Sequence, residues 1–147
     1  MLKNTYEGQD CNVARSLEVI GERWTLLIAR SAFLGIKRFD GFLSNLGIAR
    51  NVLANRLGRL VEHGLMEKVL YQEKPVRYEY VLTPKGRDLA KPVIALMQWG
   101  DRNLHLAGGP PRTAEHLGCD GSVHAQLRCT DCDREVHTDE VAVRRTR

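Results

Sequence analysis

The sequence predicts a mainly α-helical protein with one small β-hairpin, an α+β fold. Apolar residues recur at helical spacing through most of the first 104 residues, and a polar turn around Pro75 separates two segments rich in aliphatic and aromatic residues. A Gly/Pro-containing stretch then interrupts both patterns. We therefore predict a domain at 1–106, a linker at 107–113 and a small tail at 114–147.

Composition narrows the class of protein. The 147 residues suit one ordinary domain with an appendage. Neither an 18-residue apolar run nor a charged-then-apolar amino terminus is present, so we expect a cytoplasmic protein with no membrane partner. The sequence has no Gly-rich phosphate loop, nucleophile elbow or paired acids that would indicate an active site, so we expect no enzyme activity and no organic cofactor.

Two helices are predicted at the start of the chain. The first covers Cys11–Ile20 and ends at Gly21, and the second covers Glu22–Leu34. The second is apolar almost all round, which is typical of a helix buried on more than one side.

A helix-turn-helix is predicted next. A short amphipathic helix, Phe39–Leu46, ends at Gly47, and a longer helix covers Arg50–His63. The longer helix carries apolar residues at one-face spacing, namely Leu53, Leu57, Leu60 and Val61. In such a pair the second helix enters the major groove of DNA while the first contacts the backbone.

The opposite face of the longer helix is polar and carries Arg50, Asn51, Asn55 and Arg59. Arg and Asn pair bidentately with guanine and adenine edges, so this face favours DNA recognition. An ordinary solvated helix face is the alternative interpretation. Charge supports recognition, because residues 1–105 have a net charge of +5 and residues 106–147 a net charge of −1.

The hairpin follows the second helix directly. Its predicted strands are Leu65–Tyr71 and Arg77–Leu82. A hairpin in this position predicts a winged helix-turn-helix, whose wing contacts phosphates or a neighbouring groove. Lys74 and Arg77 are its candidate contacts, and Arg38, before the short helix, completes the DNA-binding set.

Several motifs carry a family resemblance: Gly21–Ile28, Arg38-Phe39, Leu53 with Arg56-Leu57, Gly64-Leu65, and the run from Pro75 to Gly86. Together they closely resemble the HxlR-type transcriptional regulators, relatives of the MarR group, over about residues 10–104. The resemblance implies a bacterial, dimeric winged-helix protein that binds double-stranded operator DNA.

The last helix is predicted to begin with Thr83 as N-cap and Pro84 in the first turn, with a kink at Pro92. An apolar stripe runs along this helix. It consists of Leu89, Val93, Leu96, Gly100 and Leu104, flanked by Met97 and Trp99. A small core cannot cover a stripe of this length, so we expect a second copy to do so. The resemblance implies that the first helix, with Leu17, joins this homodimer interface.

Cys11 is a candidate redox sensor. A helix amino terminus and Arg15 one turn later both favour the reactive thiolate. The resemblance implies the same, since some HxlR-type regulators sense oxidants or electrophiles through a cysteine here. An oxidant, electrophile or other small molecule would then be the effector. The alternative is a cysteine that only packs.

The spacing of His and Cys residues in the tail predicts a Zn2+ site similar to that of a small zinc ribbon. His116-x2-Cys119 and Cys129-x2-Cys132 are separated by nine residues, and two such pairs can supply four tetrahedral ligands. His124 and His137 are reserve ligands. Glycine usually follows the second ligand, whereas this chain has Asp120 and Asp133. The alternatives are a disordered tail or a disulfide, which a reducing cytoplasm disfavours.

Two functions from different classes follow. The first is a homodimeric transcriptional repressor that places two copies of the helix Arg50–His63 in successive major grooves. The second is a protein-interaction module, a winged helix that docks a partner through a zinc-bound tail. The Asn/Arg face and the positive charge of residues 1–105 favour the first.

Overall fold

A computed structural model describes residues 5–146, so the predicted domain ends at residues 1 and 147 lie outside the described residues. The helices are α1 Asn12–Ile20, α2 Thr25–Phe33, α3 Phe39–Leu46, α4 Arg50–Glu62, α5 Pro84–Arg87 and α6 Ala90–Asn103. The strands are β1 Met66–Glu73, β2 Val76–Leu82, β3 Leu127–Arg128 and β4 Glu135–Val136. The predicted helical fold with a two-stranded hairpin is confirmed. Within residues 5–146 no helix is both long and apolar enough to cross a membrane.

The core lies among α2, α3, α4 and the base of the hairpin. Ile28, Phe42, Leu53 and Leu57 are fully buried there. The spacing of apolar residues on α3 and α4 predicts these contacts, because one face of each helix must leave water.

Helix α2 begins later than predicted. Trp24 has a left-handed backbone conformation with φ of 83°, so the helix starts at Thr25 and not at Glu22. It is also less enclosed than predicted, since Ile28 is fully buried but Leu27 is 42% exposed. The shortened helix leaves Glu22 in the segment between α1 and α2.

The turn between α3 and α4 follows the prediction. Gly47 ends α3 with φ of 62°, a conformation that glycine adopts without steric cost. Ile48 is buried beneath the turn. On the other side of α3, the Ser31 hydroxyl lies 2.6 Å from Asn45 Oδ1 and ties α2 to α3. The Ser31 contact holds α3 against α2, and the buried Ile48 anchors the turn that leads into α4.

The hairpin is antiparallel, pairs Met66 with Leu82, and extends further towards its turn than predicted. A third backbone segment, which the sequence did not predict, pairs with β2. Arg38 forms an isolated bridge with Glu79, and the Tyr80 N–H donates to the Lys37 carbonyl at 2.7 Å. The start of α3 is therefore attached to the base of the hairpin.

The predicted long helix is divided into α5 and α6. The prediction placed a kink at Pro92, but the helix is interrupted at Asp88 and Leu89 instead. A proline ring clashes with the carbonyl four residues earlier and has no N–H to offer it, so Pro92 acts at Asp88. Thr83 caps α5 as predicted, since its hydroxyl accepts from the Gly86 N–H.

The chain forms two compact units that meet between Val93 and Ile94, within α6. The prediction placed the division at 107–113. In the second unit the Gln98 side chain donates to the Val123 carbonyl and accepts from the Ala125 N–H, both at 2.8 Å. These bonds attach the second part of α6 to the tail.

Candidate nucleic-acid interface

Helix α4 presents a polar face to solvent. Leu53, Leu57 and Leu60 point into the core, whereas Arg50, Asn51 and Asn55 are exposed. Ala54 and Gly58 lie between the polar residues and are also exposed, so no bulky side chain covers this face. The face can therefore approach a base edge closely.

Arg59 does not lie free on this face. Its guanidinium donates to Glu22 at 3.1 Å and to the Glu18 carbonyl at 3.5 Å, and 29% of its side chain is exposed. The sequence placed Arg59 among the DNA-facing residues. We revise that assignment, because this side chain points towards α1 and its charge is already paired.

Glu22 also binds a second arginine of α4, which the sequence reasoning missed. Arg56 Nη1 lies 2.6 Å from Glu22 Oε2, and Arg56 Nε donates to the Arg23 carbonyl at 3.2 Å. Arg56 also donates to Asn55 Oδ1 at 2.7 Å, so it helps to orient that amide. The sequence does contain a feature that could have indicated this pairing. Arg56 and Arg59 are three residues apart, a spacing that puts both on one side of the helix.

Arg38 is held at the base of the hairpin. Its guanidinium stacks over the Tyr71 ring at 4.3 Å from the centroid and lies 3.5 Å from Glu79. The side chain nevertheless remains 61% exposed. Arg38 is thus oriented by its neighbours while its outer surface stays available to a ligand.

An open cleft of about 630 Å3 lies between the start of α3, the start of α4 and the hairpin. Its lining combines three arginines with aromatic side chains, namely Arg38, Phe39, Asp40, Gly41, Arg50, Tyr71, Arg77, Tyr78 and Tyr80. The structure therefore brings together Arg38, Arg50 and Arg77 from three separate candidate segments. Asp40 lies 3.4 Å from Arg50 and offsets part of this positive charge.

The sequence reasoning missed the tyrosines of this cleft. Tyr78 and Tyr80 are two residues apart on β2, a spacing that puts them on one face of a strand, and this signal could have found them. The other predicted wing residue, Lys74, lies in the exposed hairpin turn and does not line the cleft.

Cys11 is exposed at the start of α1. It occupies the N-cap position, where its sulfur accepts from the Ala14 N–H at 3.4 Å. The alternative that this cysteine only packs is not supported, because its side chain is not enclosed. The thiol is therefore accessible to a small reactive molecule.

The predicted dimer-interface residues differ in exposure. Leu17, Leu96, Trp99 and Leu104 are exposed large apolar side chains. Val93 is half-buried, and Leu89 packs against the core of the first unit. Leu89 is thus partly buried against the core of its own chain, and its place in a dimer interface stays a prediction.

The tail brings the predicted metal ligands together as two pairs. His116 Nδ1 lies 3.2 Å from Cys119 Sγ. The pKa of the Cys129 thiol lies below its ordinary value. The main cause is a hydrogen bond from the backbone N–H of Cys132, and the backbone N–H of Asp131 and the Cys132 side chain contribute less. In the part of the chain that the structure describes, no three His, Cys, Asp or Glu side chains form one group that could hold a metal ion.

Comparison with known proteins adds a further observation. The model of the HxlR-like helix-turn-helix family matches residues 19–107. An uncharacterized HTH-type transcriptional regulator of Mycobacterium tuberculosis is 47% identical over 135 residues, which cover 92% of this chain and 84% of the relative. The crystal structure of PA1607, a protein assigned as a transcription factor, matches with a TM-score of 0.82 at 37% identity and covers 95% of this chain and 97% of that one. The redox regulator HypR in its reduced form matches with a TM-score of 0.60 at 31% identity, over 63% of this chain and 93% of HypR.

Proposed function

The chain belongs to the HxlR-like helix-turn-helix family of bacterial transcriptional regulators, and on that premise we propose that it is a homodimeric repressor that binds operator DNA. One observation carries the proposal. The exposed Asn/Arg face of α4 lies next to a cleft to which Arg38, Arg50 and Arg77 contribute. A winged helix-turn-helix binds DNA with a helix that contacts base edges and with basic residues that contact the DNA backbone, and the α4 face and the cleft match these two parts.

Each candidate residue has a distinct role in this proposal. Asn51 and Asn55 lie on the middle of the exposed face and contact base edges. Arg38 and Arg77 line the cleft and bind phosphate oxygens, which fixes the register of α4 without reading sequence. Lys74 extends from the hairpin turn to the neighbouring phosphates or minor groove.

Arg50 serves both surfaces. It lies at the first turn of α4 and also lines the cleft, and its guanidinium is 5.4 Å from the Phe39 ring centroid. Its contact with Asp40 is long and highly exposed, so it is weak and exchangeable. Arg50 can therefore leave Asp40 and bind a phosphate or a guanine edge.

The proposed dimer uses the exposed apolar residues of α1 and α6. Leu17, Leu96, Trp99 and Leu104 are each more than 40% exposed in the single chain. Covering them with a second copy removes apolar surface from water and joins two copies of α4. Two linked α4 helices can then occupy half-sites about 34 to 36 Å apart.

We further propose that oxidation or alkylation of Cys11 is the signal that changes DNA binding. Its exposed sulfur sits at the first turn of α1, the helix that also carries Leu17. A modification there would alter the start of a helix of the proposed dimer interface. The structural likeness to HypR, a redox regulator, supports this role.

The decisive test measures the affinity of the purified protein for duplex DNA from upstream of its own gene at several salt concentrations. We expect binding that is much tighter than to random duplex DNA and that weakens steeply with salt, because bound counterions are released. Arg77→Ala should reduce the slope of log affinity against log salt by about 1. Affinity equal to that for random DNA, or independent of salt, would contradict the proposal and favour the protein-interaction module.

A further inference from the structure

The tail contains two turns with the same backbone hydrogen bonds. In the first turn the His116 N–H donates to the Gly121 carbonyl at 2.8 Å, and in the second the Cys129 N–H donates to the Arg134 carbonyl at 2.9 Å. Both bonds join a residue to the one five positions later. His116 and Cys129 therefore occupy equivalent positions in two copies of one local structure.

The strand pairing around the turns is equivalent too. Glu115 bridges Ser122 ahead of the first turn, and Arg128 pairs with Glu135 ahead of the second. Each pair is antiparallel and lies one residue outside the hydrogen bond that closes its turn. The tail is thus built from two short hairpins, each closed by a similar turn.

The two turns are also alike at the residue that follows the second cysteine or histidine ligand of each pair, namely Asp120 after Cys119 and Asp133 after Cys132. Asp120 has φ of 58° and Asp133 has φ of 56°, a left-handed conformation that is uncommon for residues other than glycine. Their N–H groups donate back to the carbonyls of His116 and Cys129, at 2.8 and 3.0 Å. Both aspartates thus take the conformation for which glycine is usual, so their presence does not disrupt the turn.

Each turn brings two candidate ligands to one edge. His116 Nδ1 and Cys119 Sγ are 3.2 Å apart in the first turn. Cys129 and Cys132 occupy the equivalent positions of the second turn, whose backbone hydrogen bonds match those of the first. Successive N–H groups in such turns form a concavity that favours anionic atoms such as thiolate sulfur. The three cysteines of the tail are free, so none of them is held in a disulfide.

The tail lacks the apolar core that would otherwise hold two hairpins together. Among residues 87–146 none is buried, and Leu117 and Val143 are fully exposed. A segment with so little apolar burial needs another source of folding free energy, and a structural metal is a common one. A bound ion would supply folding free energy that side-chain packing in this segment does not.

We propose that His116, Cys119, Cys129 and Cys132 together bind one Zn2+ ion within a single chain. Three thiolates and one imidazole are a common ligand set for tetrahedral structural zinc. Among residues 5–146 the structure gathers no three of these side chains into one group, so binding requires the two turns to approach each other. The nine residues between Cys119 and Cys129 span at most about 30 Å, so they limit how far apart the pairs can lie.

Binding has a defined proton balance. Zn2+ displaces the protons of the three thiols into the buffer, and the neutral imidazole contributes a nitrogen lone pair. The bound group then carries a net charge of −1, and the formal charge of residues 106–147 changes from −1 to −2. The site is therefore expected to be structural and not to bind phosphate.

The test is metal analysis of the full-length protein purified without chelator. We expect about one zinc per chain, and less than one tenth of that in Cys129→Ser and in Cys132→Ser. Cys11→Ser is the matched control, because it removes the cysteine outside the tail and should keep the full zinc content. His116→Cys should retain zinc whereas His116→Ala should lose most of it, and His124→Ala should have no effect.

A second measurement uses the wild-type protein, so it does not depend on whether a variant keeps its tail structure. Co2+ added to metal-free wild-type protein should give the intense visible absorption of a tetrahedral thiolate site, with an endpoint at one ion per chain. Absence of zinc and of this spectrum in the wild-type protein would overturn the proposal. Equal zinc in Cys129→Ser and Cys11→Ser would also overturn it, as would one zinc shared between two chains.

Discussion

At the scale of single residues, Glu22 decides which arginines of α4 remain available for DNA. Its two carboxylate oxygens pair with Arg56 and Arg59, at 2.6 and 3.1 Å, and all three side chains are less than one third exposed. Paired and half-buried charges are costly to separate. Arg50 and Asn51, in the first turn of the same helix, do not contact Glu22 and remain exposed.

We predict that Glu22→Ala destabilises the first unit by about 1 to 2 kcal/mol, because it leaves two partly buried arginines unpaired. Arg59→Ala should also lower stability but should leave the preference among operator sequences unchanged. Urea denaturation and DNA competition measure the two effects. Lys91→Ala is the control, since its ion pair with Asp88 is highly exposed and should contribute less than about 0.5 kcal/mol. A change of base preference in Arg59→Ala would restore that residue to the DNA-binding set.

Asn51 and Asn55 should carry base discrimination. We predict that Asn51→Ala or Asn55→Ala relaxes preference at one or two operator positions, by about 1 to 3 kcal/mol each. Arg77→Ala should instead weaken binding to all sequences alike, because its partner is phosphate. Competition with operators substituted one position at a time measures both effects. Unchanged preference in both asparagine variants would show that α4 meets DNA with another face.

At the scale of secondary-structure elements, two glycines in helices have opposite surroundings. Gly86 in α5 is buried, and a Cβ there would collide with the Leu65 carbonyl oxygen. Gly58 in α4 has nothing within 4 Å of the equivalent position. Gly86 thus lets α5 lie directly against Leu65, in the segment between α4 and β1, whereas Gly58 adds no side chain to the exposed face of α4.

We therefore predict opposite effects of the same substitution at the two sites. Gly86→Ala should lower the free energy of unfolding by about 1 to 3 kcal/mol, because the backbone of α5 must move away from Leu65. Gly58→Ala should raise it by about 0.5 to 1 kcal/mol through helix propensity. Thermal or urea denaturation of both variants provides the comparison. A neutral Gly86→Ala would mean that α5 is not held against Leu65 in solution.

At the scale of the whole molecule, each of the two units exposes large apolar side chains, the first on α1 and the second on α6. Leu17 on α1 and Leu96, Trp99 and Leu104 of the α6 stripe lie outside the core, whereas Leu89, earlier in the same stripe, is partly buried against it. Exposed apolar patches of this kind favour association with another chain. The dimer that we propose would link two copies of α4, and such a link raises affinity through effective concentration.

We predict that Leu96→Glu converts the proposed dimer to a monomer and weakens operator binding by at least tenfold, because the charge would enter an apolar interface and the half-sites would no longer be linked. Analytical ultracentrifugation and DNA titration measure the two effects. Val143→Glu is the matched control, since Val143 is fully exposed and lies outside the stripe, and it should remain dimeric. A Leu96→Glu protein that is still dimeric would exclude this interface.

The elements that depend on local pattern were predictable from the sequence. The bounds of α1, α3 and α4, the C-cap at Gly47 and the N-cap at Thr83 agree with the structure to within one or two residues. They follow from apolar spacing and from the intrinsic preferences of glycine and capping residues, which act over a few neighbouring positions. The polar face of α4 was predictable for the same reason.

Other features were decided only by tertiary structure. Arg59 and Arg50 have the same side chain on one helix, but Glu22 comes within 3.1 Å of Arg59 only when the segment after α1 lies against α4. The cleft that joins Arg38 to Arg77 depends likewise on the bridge between Arg38 and Glu79. The sequence by itself determined which segments become helices, strands and turns, because hydrophobic periodicity and backbone preference are local. Which charges are paired and which stay exposed depends on contacts between residues far apart in the chain, and only the folded structure fixes those.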